Sequence, residues 1–81
     1  MVNITTFHAT PHAKLRSAER GISVDQMQLV VNYGAKQAQP WRGKHGGVVY
    51  KFQKDDHGKT TIVVVAEVLK ETCWIITGYK K

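Results

Sequence analysis

Eighty-one residues, 42% of them apolar, supply one small hydrophobic core and exclude both a disordered chain and a second domain, so residues 1–81 are read as a single domain. One cysteine, Cys73, excludes an internal disulfide and a cysteine-rich zinc site and fits a reducing cytosol. Twelve Lys and Arg against six Asp and Glu leave a net charge of +6, which points to a polyanionic partner, nucleic acid or an acidic protein.

The segment Met1 to Phe7 has no basic region followed by an apolar run, so no signal peptide is expected. The longest apolar run, Ile62 to Ala66, is too short to cross a membrane, and the expectation is a soluble, cytoplasmic protein. Ile4 to Phe7 can add an edge strand. Thr10-Pro11 then opens a helix, with Thr as N-cap and Pro where a missing N–H costs nothing; Gly21 closes it after about ten residues. Ser23 and Gln26 match a capping box, with Ile22 and Met27 at staple positions. Val24, Met27, Val30 and Val31 share one face of this second helix, Leu29 falls off it, and Gly34 stops it.

From Ala35 to Gly47 the chain is polar and Gly-containing, and reads as a loop with at most a short edge strand. Val48, Tyr50 and Phe52 alternate with Val49, Lys51 and Gln53, the pattern of a half-buried strand. Asp55-Asp56-His57-Gly58 reads as a turn. Thr60 to Val68, almost continuously β-branched, reads as a central strand. Lys70-Glu71-Thr72 turns the chain into a last strand, Cys73 to Tyr79. Short connections make neighbouring strands antiparallel. The expected class is α+β: two N-terminal helices packed on a three- to four-stranded antiparallel sheet.

On the first helix His12, Arg16 and Arg20 fall at i, i+4 and i+8, along one stripe. Like charges at that spacing repel, and Glu19, three residues after Arg16, offsets only part of it. The stripe suits a phosphate-facing surface with a titratable group at its end, to which Lys14 adds a cation; the competing reading is a solvated basic face. On the last strand, strict alternation puts Cys73, Ile75, Thr77 and Tyr79 on one side and Trp74 and Ile76 on the other. The Thr77 and Tyr79 hydroxyls can donate to phosphate oxygens, or simply face water. Arg42, Lys44 and His45 beside Trp41 suit single-stranded nucleic acid, whose bases stack and whose phosphates pair. An exposed loop with Trp41 folded onto the core is the alternative.

Other constellations carry less. Asp55, Asp56 and His57 resemble metal ligands but occupy a predicted turn, where Asp is expected for backbone reasons. His8 and His12 have helical spacing, yet Pro11 separates them. The carboxylates are mostly scattered on turns and give no two-metal centre. Cys73 reads as packing rather than nucleophile, and there is no Walker loop or dinucleotide fingerprint.

The run His12-Ala13-Lys14-Leu15-Arg16-Ser17-Ala18-Glu19-Arg20-Gly21-Ile22-Ser23 has the form H-A-x-x-R-x-x-x-R-G-I-S. It resembles the opening signature of the small bacterial domains of domain-of-unknown-function family 4258, whose pattern ends in a Thr-x-Tyr strand matched by Thr77-Gly78-Tyr79. The resemblance spans roughly His12 to Tyr79. Gly78 departs from the β-branched residue that relatives tend to have. The family's layout looks like that of metal-independent ribonuclease toxins of the RelE and barnase type, and members occur as toxin-like modules. The resemblance thus implies a candidate catalytic set of His12, Arg16, Arg20, Thr77 and Tyr79, while their charge and aromatic character make Lys14, Trp41, Arg42, Lys44 and His45 the candidates for binding nucleic acid. Two functions follow as expectations. One is RNA cleavage by 2′-hydroxyl attack, without metal or cofactor and restrained by an acidic antitoxin or immunity protein. His12 is then one proton carrier, and Tyr79 or His45 the other. The second is a non-catalytic module for nucleic acid or an acidic protein.

Overall fold

The computed structural model of the chain describes residues 4–56, 58 and 60–81, with the side chains of 38–41 and 56 excepted. The expected helices form where local chemistry puts them. In α1 (Pro11–Arg20) the Thr10 hydroxyl accepts from the Ala13 N–H at 3.1 Å, and Gly21 ends the helix in the left-handed region at φ 66°. In α2 (Val24–Tyr33) both arms of the capping box are made: Gln26 N–H to Ser23 Oγ at 3.1 Å, and Ser23 N–H to Gln26 Oε1 at 2.9 Å. The Ser17 hydroxyl donates to the Ile22 carbonyl and holds the corner between the helices. No helix among the described residues is long and apolar enough to cross a membrane.

The sheet is larger than expected and mixed. Its five strands are β1 (Thr6–Ala9), β2 (Ala35–Arg42), β3 (Val48–Asp56), β4 (Thr60–Leu69) and β5 (Thr72–Lys80), in the order β1-β5-β4-β3-β2. β4 is central, as its β-branched run requires. β1 pairs with β5 in parallel, Thr6 opposite Thr72 through Ala9 opposite Ile75. The edge strand expected at Ile4 to Phe7 thus forms, shifted by two residues, but its parallel partner lies across the whole length of the chain and leaves no local pattern to read. β2 was masked by composition: as an edge strand it keeps Lys36 and Gln37 exposed and carries Pro40. β3 runs through the expected Asp55-Asp56 turn, with Asp55 paired to Thr61 and accepting its hydroxyl at 2.9 Å. His57 and the Asp56 side chain lie outside the described residues.

Both helices pack on one face of the sheet. Phe52, Ile62, Val64, Ala66, Cys73 and Ile75 meet Met27, Val30 and Val31 of α2, Ala13 of α1 and Ile22 of the corner. Each large aliphatic side chain so buried contributes about 1.5–3 kcal/mol. Leu29 stays 53% exposed, off the buried face as its helical position dictates.

One irregularity repositions the end of the chain. Val65 pairs with Thr77 but Ala66 pairs with Ile75, so Ile76 is an extra residue, a β-bulge. Past it the alternation is inverted. Thr77 and Tyr79 therefore share the helix-free face with Trp74, not the core face with Cys73 and Ile75. Gly78 instead points to the helices, where a Cβ would come 2.8 Å from Met27 Cε; Met27 fills the space a β-branched residue would need. The bulge is also where α1 attaches. Thr10 Oγ1 reaches the Ile75 carbonyl at 2.9 Å and that of Ile76 at 3.4 Å, and the Thr10 N–H donates to Ile75 at 3.2 Å. Beyond Ala9, α1 takes the place β1 vacates along β5.

Candidate active site

A row of side chains crosses the helix-free face on neighbouring strands. Val49 on β3 pairs with Glu67 on β4, Glu67 with Trp74 on β5, and Trp74 with His8 on β1. Glu67 is 2% exposed, and a carboxylate in a central strand is costly unless its oxygens are bonded. Residues 43–47, between β2 and β3, supply the donors. His45 N–H donates to Glu67 Oε2 at 2.9 Å and Gly47 N–H to the same oxygen at 2.8 Å, while His45 Nδ1 lies 3.1 Å from Oε1. The loop lies so close to the sheet that a Cβ on Gly43 would overlap the Glu67 side chain, and one on Gly47 the Val68 carbonyl oxygen.

Burial pushes the Glu67 carboxyl up, but the Gly47 N–H, the His45 ring and the His45 N–H together outweigh it, and the carboxyl is held below its ordinary value. Facing an ionised carboxylate, which can only accept, Nδ1 of His45 is the donor and Nε2 is left to face the solvent side. The imidazole lies flat on Trp74, with centroids 4.1 Å apart and planes within 4°. His8 flanks the other side of Trp74 at 5.7 Å and 19°.

His12, two residues past the cap that anchors α1, borders the same cleft of about 450 Å³ as Arg42, Lys44, His45, Glu67 and Trp74. His12 Nε2 accepts a long bond, 3.4 Å, from Arg16 Nε, and Arg16 Nη1 pairs with Glu19 at 2.7 Å. The repulsion expected along the stripe is thereby partly relieved.

At the other end of α1 lies a second hollow of about 570 Å³, lined by Arg20, Tyr79 and Lys80. Arg20 Nη1 donates to the Gly78 carbonyl at 3.0 Å, and its guanidinium carbon stands 5.9 Å from the Tyr79 ring centre. The candidate residues thus divide. His12, Arg42, Lys44 and His45 gather in one cleft, Arg20 and Tyr79 in another, with Arg16 on α1 and Thr77 on β5 between them. Lys14 is exposed on α1, and the side chain of Trp41 lies outside the described residues.

Two members of the cleft escaped sequence reasoning. Glu67 is a carboxylate on a central strand, not on a turn, and the only charged residue within Thr60 to Leu69; that isolation was its signal. Trp74 was assigned to the face opposite Thr77 and Tyr79, and the bulge puts all three on the same one. Cys73 is fully buried and its thiol is pushed up to about 12 by burial, so it packs and stays protonated.

The model of the family described as Domain of unknown function (DUF4258) matches residues 9–80, from the end of β1 to the end of β5. The chain belongs to that family. No curated protein and no solved structure matches the chain. The matched span takes in both hollows, while His8, on the flank of Trp74, falls just before it.

Proposed function

We propose that the chain is a metal-independent endoribonuclease whose proton carriers are His12 and His45. The observation that carries the reading is two imidazoles bordering one cleft, one of them fixed by a buried carboxylate, with Arg42 and Lys44 alongside. RNA carries its own nucleophile. The 2′-oxygen attacks phosphorus, the P–O5′ bond breaks, and the products are a 2′,3′-cyclic phosphate and a 5′-hydroxyl. A base must take the 2′ proton and an acid must protonate the departing 5′-oxygen.

The Glu67 carboxylate faces the positive charge that His45 bears when protonated, which suits His45 to the acid. His12, beside the Arg16 guanidinium, suits the base, with Arg16 turning from His12 Nε2 to the phosphate when substrate enters. Arg16, Arg42 and Lys44 then surround the charge that grows on the phosphorane oxygens. A ribonuclease of this kind needs a restraint in its own cell, and an acidic antitoxin matches the +6 charge.

Incubating the protein with RNA in the presence of EDTA tests the reading, with cyclic phosphate ends as the expected product. Folded wild-type protein that leaves RNA intact would replace it with the non-catalytic binding module. Full cleavage by both His12→Ala and His45→Ala would remove the cleft as the site.

A further inference from the structure

Two rows of side chains connect the cleft to the second hollow. On α1 they are His12, Arg16 and Arg20, which span about 12 Å of helix axis at the usual rise. On β5 they are Trp74, Thr77 and Tyr79, brought to one face only by the bulge at Ile76. α1 lies along the β5 edge, from the Thr10 bonds at Ile75 and Ile76 to the Arg20 bond at Gly78, so the two rows run in the same direction. Lys51 on β3, two strands further in, pairs with Val65 on β4, which pairs with Thr77, and adds a cation to that face.

The far hollow has a composition of its own. Arg20 gives one N–H to the Gly78 carbonyl and keeps its remaining donors; Tyr79 offers a ring and a hydroxyl; Lys80 adds charge. Nothing in the proton transfers of the cleft calls on these groups. Cations beside an aromatic face are the elements of a sequence-tolerant single-strand site, in which a base stacks and a phosphate pairs. A length of about 12 Å corresponds to roughly three stacked nucleotides.

Resting on the assignment of the cleft to an RNA phosphodiester, we infer that Arg20, Tyr79 and Lys80 form a distal subsite for a nucleotide of the same strand, so that the ligand is a single strand several nucleotides long laid between α1 and β5. Duplex is not accommodated, because the base that stacks on Tyr79 must be unpaired.

The test measures binding of non-cleavable 2′-deoxy oligomers, a dinucleotide and a decamer, by fluorescence anisotropy over a range of salt. For wild type the decamer binds more tightly. In Arg20→Ala/Lys80→Ala that gain shrinks about tenfold, the size expected for losing one stacked and paired nucleotide. The slope of log affinity against log salt becomes shallower by about 1.4, for two cations that no longer release counterions. Tyr79→Phe keeps the gain and Tyr79→Leu loses it. Should Arg20→Ala disturb the fold by circular dichroism, Lys80→Ala and Tyr79→Leu read the same quantity. A length gain equal in wild type and variants overturns the inference, as does wild-type protein that binds neither oligomer. Since no oligomer is cleaved, the result separates from the ribonuclease reading. Inert RNA with a variant-sensitive length gain removes the catalysis and keeps the subsite; cleaved RNA with a variant-insensitive gain does the reverse.

Discussion

The two ends of β5 hold their functional side chains by opposite means. Under the loop of residues 43–47, His45 is fixed on four sides: by its own N–H and its Nδ1 on Glu67, by Trp74 beneath it, and by glycines that bring the loop within contact of the sheet. Beyond the bulge, Arg20 is exposed and has one hydrogen bond to a carbonyl and a ring nearby. The first arrangement suits chemistry, where a displacement of about 1 Å can be costly in rate. The second suits a strand of variable sequence, which asks for charge and a flat surface rather than a fixed geometry.

Mutations should therefore act very differently at the two ends. The largest effect belongs to Glu67→Ala, which strips the acceptor from the buried Gly47 N–H, the half-buried His45 N–H and the His45 ring. A loss of about 3 kcal/mol or more in unfolding free energy is expected from urea titration; an unchanged midpoint would mean that the loop is held by something other than this carboxylate. Next comes His45→Ala. Under the ribonuclease proposal it lowers the cleavage rate about a hundredfold or more while circular dichroism stays native. Gly43→Ala sharpens the comparison, since the added methyl overlaps Glu67; about 1–3 kcal/mol of stability should be lost.

Acid titration reads the same clamp without mutation. The folded Glu67 carboxyl lies below its ordinary 4.5, so its contribution is fully present above pH 4.5 and fades as the pH falls through the lower folded value. The stability advantage of wild type over Glu67→Gln should accordingly be constant near neutrality and shrink in that acid range. The smallest effect is that of Arg20→Ala at the other end, within about 0.5 kcal/mol in the same titration, as for most exposed positions. A larger loss there would show that Arg20 secures α1 to β5 as firmly as Glu67 secures the loop.

What could be read from the sequence was what neighbours in sequence decide. The Thr10 and Ser23 caps, the Gly21 stop and the Met27-Val30-Val31 face are set within a turn or two of helix, and each formed as expected. β4 was legible because a β-branched run this long has few other places to go. The parallel partner of β1 lies far along the chain, the polar composition of β2 hid a strand that pairs with its neighbour β3, and at the bulge Ile76 looks like any other strand residue. The same division runs through the site. His12 and His45 stood out by chemical type, since imidazole is the natural proton carrier near neutral pH. That His45 is bound to Glu67, 22 residues later, and lies over Trp74, 29 residues later, is a product of the fold. The grouping of His12 with Thr77 and Tyr79 assumed one phosphate-sized space, but His12 borders one hollow and Tyr79 the other, at opposite ends of α1, with Thr77 between them.

The parallel pairing of β1 with β5 has a consequence during synthesis. Thr6 to Ala9 are made well before their partners, Thr72 to Ile75, which lie 66 residues later in the chain. Until that late segment has left the ribosome, Thr10 has no carbonyl to anchor α1, Trp74 is not there to support His45, and neither hollow has its β5 wall. Contacts between such distant residues also close slowly, since a long loop must be ordered before it is rewarded. A nascent chain carrying α1, α2 and the first four strands therefore emerges with its cleft incomplete, and both hollows are closed only once Thr72 to Lys80 have paired along β4.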